Sequence, residues 1–155
     1  MPNATPNAAT VAADPKRDSG ATYVLPRKLA VQLLHAAQLS PEAEICGLVA
    51  AEQGEPARFM AIPNVAEQPA TAFQMQDQAL VAAMQLIREK QLSLWAVFHS
   101  HPTAPAQPSA LDLAENGYPE ALSLIASLNI KGVLELRAWR LVAGEPVEQV
   151  LRIRD

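Results

Sequence analysis

A chain of 155 residues, 50% of them apolar, is long enough to bury a sizeable core and short enough to argue for a single domain. Its net charge of -4, sequence pI near 5.4 and lack of any basic run exclude nucleic-acid binding by phosphate neutralisation. The lone cysteine, Cys46, excludes an intramolecular disulfide. No apolar run approaches a membrane span, and the first residues lack the pattern of a secretory signal, so a cytoplasmic protein without membrane attachment is expected.

Residues 1–20 are rich in Ala, Pro, Asn and Thr with no hydrophobic period, and are expected to form a disordered tail before one domain spanning 21–155. Ala21 to Leu25 reads as a short strand, punctuated by Pro26. Leu29, Leu33, Leu34 and Ala37 recur at helical spacing and predict an amphipathic helix over Arg27 to Gln38. His35 lies on that helix and is left outside any site. Ile45 to Ala51 is short and apolar enough for a central strand, in which Gly47 signals a bulge or a close approach. Gln53-Gly54-Glu55-Pro56 is turn chemistry before a returning strand, Arg58 to Ile62.

Pro63-Asn64 opens a polar loop, and Phe73 to Met75 is expected to add a brief strand. Asp77 is the expected N-cap of a helix running to about Lys90, with Leu80, Val81, Met84 and Ile87 on one face. Met75 and Met84 read as core fillers. Leu94 to Phe98 is an apolar run that reads as a buried strand continuing into His99-Ser100-His101, stopped by Pro102. Ser109 begins a short helix to about Asn116, with Gly117 as its stop. Ala121 to Leu128 reads as a strand, with a buried helix equally compatible with its period, and Gly132 to Val142 and Val147 to Ile153 read as further strands joined by a turn at Ala143-Gly144-Glu145-Pro146. The order predicts a mixed α/β (α+β) architecture rather than a doubly wound sheet.

The chemistry centres on the two histidines. Residues i and i+2 of a strand face the same side, so His99 and His101 point into one space, and Asp112 arrives eleven positions later at a helix start. Two imidazoles and a carboxylate with a fourth position open make a catalytic zinc site. Ser109-x-x-Asp112 also has the pattern of a capping box, a structural device, and taken alone that reading is the better one. The roles conflict only in part, because the carboxylate can face a metal while the Ser109 hydroxyl donates to an oxyanion. Metal-assisted hydrolysis also needs a general base. Glu42 and Glu44 both precede the Ile45 strand, and spacing does not choose between them. Cys46 reads as core rather than as a thiol ligand.

Glu44-Ile45-Cys46-Gly47, then His99-Ser100-His101-Pro102, then Ser109-Ala110-Leu111-Asp112 resembles the JAMM motif of the JAB/MPN metallopeptidase family, and all of its positions are present. Pro63-Asn64 and Tyr118-Pro119 are softer likenesses. The resemblance extends from about Tyr23 to the C-terminus. It implies a cytidine-deaminase-like MPN fold with a central mixed sheet flanked by helices. It further implies one zinc ion held by His99, His101 and Asp112, with Glu44 rather than Glu42 as general acid/base and Ser109 steadying the oxyanion. Ser100 points the other way and is expected not to touch the metal.

Little sequence separates Asp112 from the Ala121 strand, leaving no room there for a large substrate-gripping insertion, so the chain resembles the compact prokaryotic branch. That branch implies hydrolysis of peptide or isopeptide bonds near the C-terminal tail of a ubiquitin-like, sulfur-carrier type protein or its conjugates. A tail of this kind can bind as an added strand. The competing readings are a peptidase of cell-wall peptide, a RadC-like protein linked to DNA, and a non-catalytic MPN scaffold. RadC-like chains typically carry Asn where Ser100 stands, and scaffolds usually lose motif residues that are all present here.

Overall fold

The computed structural model describes residues 21–128 and 133–155; the expected tail over 1–20, and Gly132 at the start of an expected strand, lie outside them. The described elements run β1 (Thr22–Pro26), α1 (Arg27–Gln38), β2 (Cys46–Glu52), β3 (Glu55–Ile62), α2 (Asp77–Glu89), β4 (Ser93–His101), α3 (Ala110–Ala114), β5 (Leu122–Ser127), β6 (Glu135–Val142) and β7 (Glu145–Arg154). The strands form one seven-stranded sheet in the order β1-β7-β6-β5-β4-β2-β3. The β1–β7 and β4–β5 pairs are parallel, and the remaining neighbours are antiparallel. The mixed α/β architecture anticipated from the element order is therefore present.

Each sheet face has its own helix. The apolar stripe of α1, with Leu29, Leu33 and Ala37 buried, packs on a cluster that includes Val49, Phe98, Leu122 and Leu124. On the other face, α2 buries Ala83 and Ile87 against Leu48, Ala50 and Ile62, with Met75, Met84 and Val97 filling the margin. Val81 is 58% exposed, so the apolar face of α2 is narrower than its sequence period indicates.

Two hairpins are tighter than their sequences suggest. Gln53-Gly54 and Ala143-Gly144 are two-residue turns in which both residues have positive φ, the conformation that matches the twist of antiparallel strands. Glu55-Pro56 and Glu145-Pro146 consequently begin β3 and β7 instead of prolonging the turns.

Gly47 is a close-approach position. A Cβ there would lie 2.4 Å from the Met60 carbonyl oxygen and 2.6 Å from the Phe59 ring. The register irregularities of β2 fall instead at Val49/Ala50 and Ala50/Ala51.

Three local expectations are corrected. Gln76, not Asp77, caps α2, its side chain accepting from the Ala79 N–H, so Asp77 is the first helical residue. Phe73 to Met75 makes no strand; Met75 forms an isolated bridge with Asn64, flanked by backbone bonds from Val65 N–H to Gln74 O and from Gln76 N–H to Pro63 O, while the Asn64 side chain takes the Ala72 carbonyl and the Gln74 N–H. The short helix α3 ends at Ala114 with Glu115 as its C-cap, well before Gly117.

Candidate metal centre

Val97 packs in the α2 cluster, and the two-residue strand period carries His99 and His101 onto the same face. Both rings are buried, at 1% and 2% exposure. Their Nε2 atoms lie 3.1 Å apart, and Asp112 Oδ2 stands 3.0 Å from His99 Nε2 and 3.2 Å from His101 Nε2. Asp112 reaches them from the first turn of α3. Its Oδ2 also accepts from the Ser109 N–H at 2.8 Å, while Ser109 Oγ accepts from the Asp112 N–H at 3.0 Å. The capping box is thus complete, and the capping carboxylate is the one that faces the histidines.

The fourth member comes from ahead of β2. Glu44 is 4% exposed, whereas Glu42 is exposed in the preceding turn. One ligand atom from each of Glu44, His99, His101 and Asp112 lies within 4.8 Å of the others. Glu44 Oε1 is buried and makes no hydrogen bond. Ser100, of opposite parity, accepts from the Ile45 N–H at 2.9 Å and so ties β4 to the start of β2. Cys46 is buried with its thiol donating to the Ile62 carbonyl, and burial beside Glu44 pushes its pKa up to about 12, the behaviour of a core thiol.

The electrostatics follow from burial and crowding. Burial pushes the Glu44 carboxyl up to about 7; His101 opposes the rise and Asp112 adds to it. Burial would also raise Asp112, but hydrogen bonds from His101, His99 and the Ser109 backbone outweigh it and hold that carboxyl well below the usual range. Burial lowers His99 against the pull of Asp112. At His101 burial is outweighed by Asp112 and the Pro105 carbonyl, and the pKa rises.

The donor set fits a divalent metal ion. Ligands about 2.0–2.1 Å from a shared tetrahedral ion lie roughly 3.3 Å apart, close to the separations among these three atoms. A carbonyl only accepts, so His101 Nδ1, 2.7 Å from Pro105 O, carries the proton and leaves Nε2 free as a ligand atom. The Pro105 loop is itself anchored, its neighbouring carbonyls at Ala104 and Ala106 accepting from Ser127 Oγ and Trp139 Nε1.

Two residues of the surrounding shell were not singled out as functional by sequence reasoning. Asn64 uses its whole amide: Nδ2 donates to the carbonyls of Glu44 and Ala72, and Oδ1 accepts from the Ala66 and Gln74 N–H groups. With the Glu44 N–H donating to Pro69 O, it fastens the 63–76 loop to the residue that carries the buried carboxylate. Phe73, on that loop, stacks on His99 with ring centroids 4.5 Å apart. The available signal was an asparagine directly after a strand-ending proline, and it reads equally as an ordinary turn.

A family model described as prokaryotic homologs of the JAB domain matches residues 26–142. The chain belongs to that family. A probable TtuB-protein conjugate cleaving protease of Thermus thermophilus is 41% identical over 58 residues, 37% of this JAB-family chain and 39% of the relative, so the match spans well under half of that protein. A desampylase of Pyrococcus furiosus is 26% identical over 85% of the chain and 90% of its own length. The crystal structure of a JAB1/MPN domain protein from Archaeoglobus fulgidus shares the fold, with a TM-score of 0.56 over 88% of this chain and 99% of the other, at 14% identity. Among the described residues, no helix is long and apolar enough to cross a membrane.

Proposed function

We propose that this JAB-family protein is a zinc-dependent peptidase or isopeptidase that hydrolyses bonds near the C-terminal tail of a ubiquitin-like, sulfur-carrier type protein or its conjugates. The observation that carries the reading is the convergence of Glu44, His99, His101 and Asp112 on one buried point, with one Glu44 oxygen unpaired. The names of the Thermus and Pyrococcus relatives, a conjugate-cleaving protease and a desampylase, support the substrate class.

His99, His101 and Asp112 would hold the zinc ion, which when bound supplies a Lewis acid that polarises a carbonyl and acidifies water. Glu44, buried beside the three ligands with one oxygen unpaired, takes a proton from the attacking water and delivers it to the departing nitrogen. Ser109 keeps its oxygen on the Asp112 N–H, which leaves the hydroxyl proton to donate to the developing oxyanion. His101 is held in register by Pro105, and Phe73 backs the His99 ring. The acidic net charge and the lone buried thiol support a protein partner, rather than nucleic acid, in a reducing cytoplasm.

The test is a panel of ubiquitin-like carriers, tail-extended or conjugated, incubated with wild-type protein and followed by intact mass spectrometry. Cleavage should stop on chelation, return with zinc, and be absent in Glu44→Gln at unchanged zinc content. Chelator-insensitive cleavage, or no cleavage by protein carrying stoichiometric zinc, overturns the reading.

A further inference from the structure

Residues 102–108 join His101, at the end of β4, to Ser109, the N-cap of α3, and so to Asp112. Ser127 Oγ, from β5, donates to the Ala104 carbonyl of this loop at 2.7 Å, and Trp139 Nε1, from β6, donates to the Ala106 carbonyl at 2.9 Å. Neither residue belongs to the cluster of Glu44, His99, His101 and Asp112. We infer that Ser127 and Trp139 are positioning residues, which set the affinity of the centre for zinc by holding the 102–108 loop so that the Pro105 carbonyl meets His101 Nδ1. The inference rests on the zinc site proposed above and adds two residues that lie outside the ligand set.

The two histidines are not oriented alike. His99 Nδ1 is buried and, among the described residues, makes no hydrogen bond. Orientation by a hydrogen bond therefore falls to His101, whose Nδ1 lies 2.7 Å from Pro105 O. Such a partner fixes the tautomer and ring plane of a ligating imidazole, and losing one costs about 10–100-fold in metal affinity. Here the partner is a backbone carbonyl, which any residue at 105 would supply. What the sequence controls is where that carbonyl is held.

The loop is held from both sides of Pro105. The Gln107 N–H donates to Pro105 O at 2.8 Å and closes a three-residue turn with Ala106 at its centre. Pro105 O thus accepts from Gln107 and from His101, one bond for each lone pair. Ala106 is buried, and its carbonyl is the one that Trp139 takes; Ser127 takes the carbonyl before Pro105. The residue between the two pins is therefore the one that faces the ligand. Pro102, Pro105 and Pro108 fix φ at three points, which leaves the loop little slack.

Both pins stand on the sheet. Ser127 is fully buried and pairs with His101 in the β4–β5 register, and Trp139 pairs with Ser123 of β5. At the other end of the loop the Ser109 N–H donates to Asp112 Oδ2, so a shift of the loop disturbs a second ligand as well as His101.

The experiment measures the zinc affinity of the full chain by competition with a chromophoric chelator, for wild type, Trp139→Phe, Ser127→Ala and the double variant. Trp139→Phe keeps an aromatic ring on β6 and removes the N–H, and Ser127→Ala removes only the hydroxyl. The pins act one bond beyond the Pro105 carbonyl, so each single variant should bind zinc about three- to tenfold more weakly, and the double variant more weakly than either. In zinc-loaded protein with isotope-labelled histidine, the His101 Nδ1–H resonance should move toward that of an unbonded imidazole N–H. Melts of the chelated proteins separate folding from binding, because a lower Tm alone leaves the affinity of the folded protein unchanged. Unchanged affinity in both folded single variants overturns the proposal and leaves the zinc site standing. Weaker affinity with the His101 resonance unmoved also overturns it, because the effect would then not pass through Pro105. If Trp139→Phe does not fold, Ser127→Ala decides alone on the same two readouts. Wild-type protein that takes up no zinc overturns the zinc reading, and the positioning role falls with it.

Discussion

Glu44→Gln tests the central physical claim, that a carboxyl group is held in a site that penalises its charge. Burial raises Glu44 from 4.5 to about 7, so the folded, metal-free protein keeps that proton across an interval in which the unfolded chain has released it. Between those values the folded state binds more protons than the unfolded state, and stability falls as pH rises. The contribution is fully present below pH 4.5 and has gone once pH passes about 7. At about 1.4 kcal/mol per pH unit, the interval corresponds to about 3 kcal/mol. Glutamine does not titrate, so its stability relative to wild type should improve by about that amount between acid and alkaline pH. For a chain of this length that is about 6–12 °C in Tm.

The assay is thermal melting of chelator-treated wild-type and Glu44→Gln protein at pH 4.5 and pH 8. The comparison between variants cancels the titration of groups remote from Glu44, and reads Glu44 together with the His101 and Asp112 charges that act on it. A Tm difference that does not change with pH would refute the argument, because it would mean that Glu44 ionises as an ordinary surface carboxylate. With zinc restored, the same variant should lose about 10²–10⁴-fold in kcat while keeping its metal.

Gly47→Ala puts a methyl group 2.4 Å from a backbone carbonyl, which cannot swing aside, so β2 and β3 must part; a loss of about 3 kcal/mol or more is expected by denaturant unfolding. Cys46→Ala should leave zinc stoichiometry unchanged and cost about 1–2 kcal/mol, since the thiol bonds only to Ile62 O; a fall in bound zinc would make the thiol a ligand after all. Asn64→Ala removes four hydrogen bonds, one to the Glu44 carbonyl and three within the 63–76 loop, and should cost about 2–4 kcal/mol and lower kcat about tenfold with zinc retained. Wild-type turnover after that substitution would show that the loop positions itself without the amide.

Local chemistry was legible in the chain. The helical period of Leu29, Leu33 and Ala37 marked α1 to its observed ends, Arg27 and Gln38. His99 and His101 could share a direction only because strand residues two apart do. Ser109-x-x-Asp112 announced a cap, and the cap is there. These signals depend on a few consecutive residues and on backbone geometry, which a sequence carries in full.

Whatever depended on distant segments meeting was decided by the tertiary structure. Glu42 and Glu44 are equivalent by spacing; burial separates them, because Asn64 and Pro69 hold the Glu44 backbone against the 63–76 loop and turn its side chain inward. Phe73 has the composition of a strand residue, yet its segment forms only an isolated bridge at Met75, the Asn64 side chain takes the Ala72 carbonyl and the Gln74 N–H on either side of it, and its ring stacks on His99. The same assembly lets one Asp112 oxygen serve both the helix cap and the two imidazoles, the two roles that the sequence had set against each other. A carboxylate has lone pairs enough for both, and only the docking of α3 against the end of β4 brings the partners within reach.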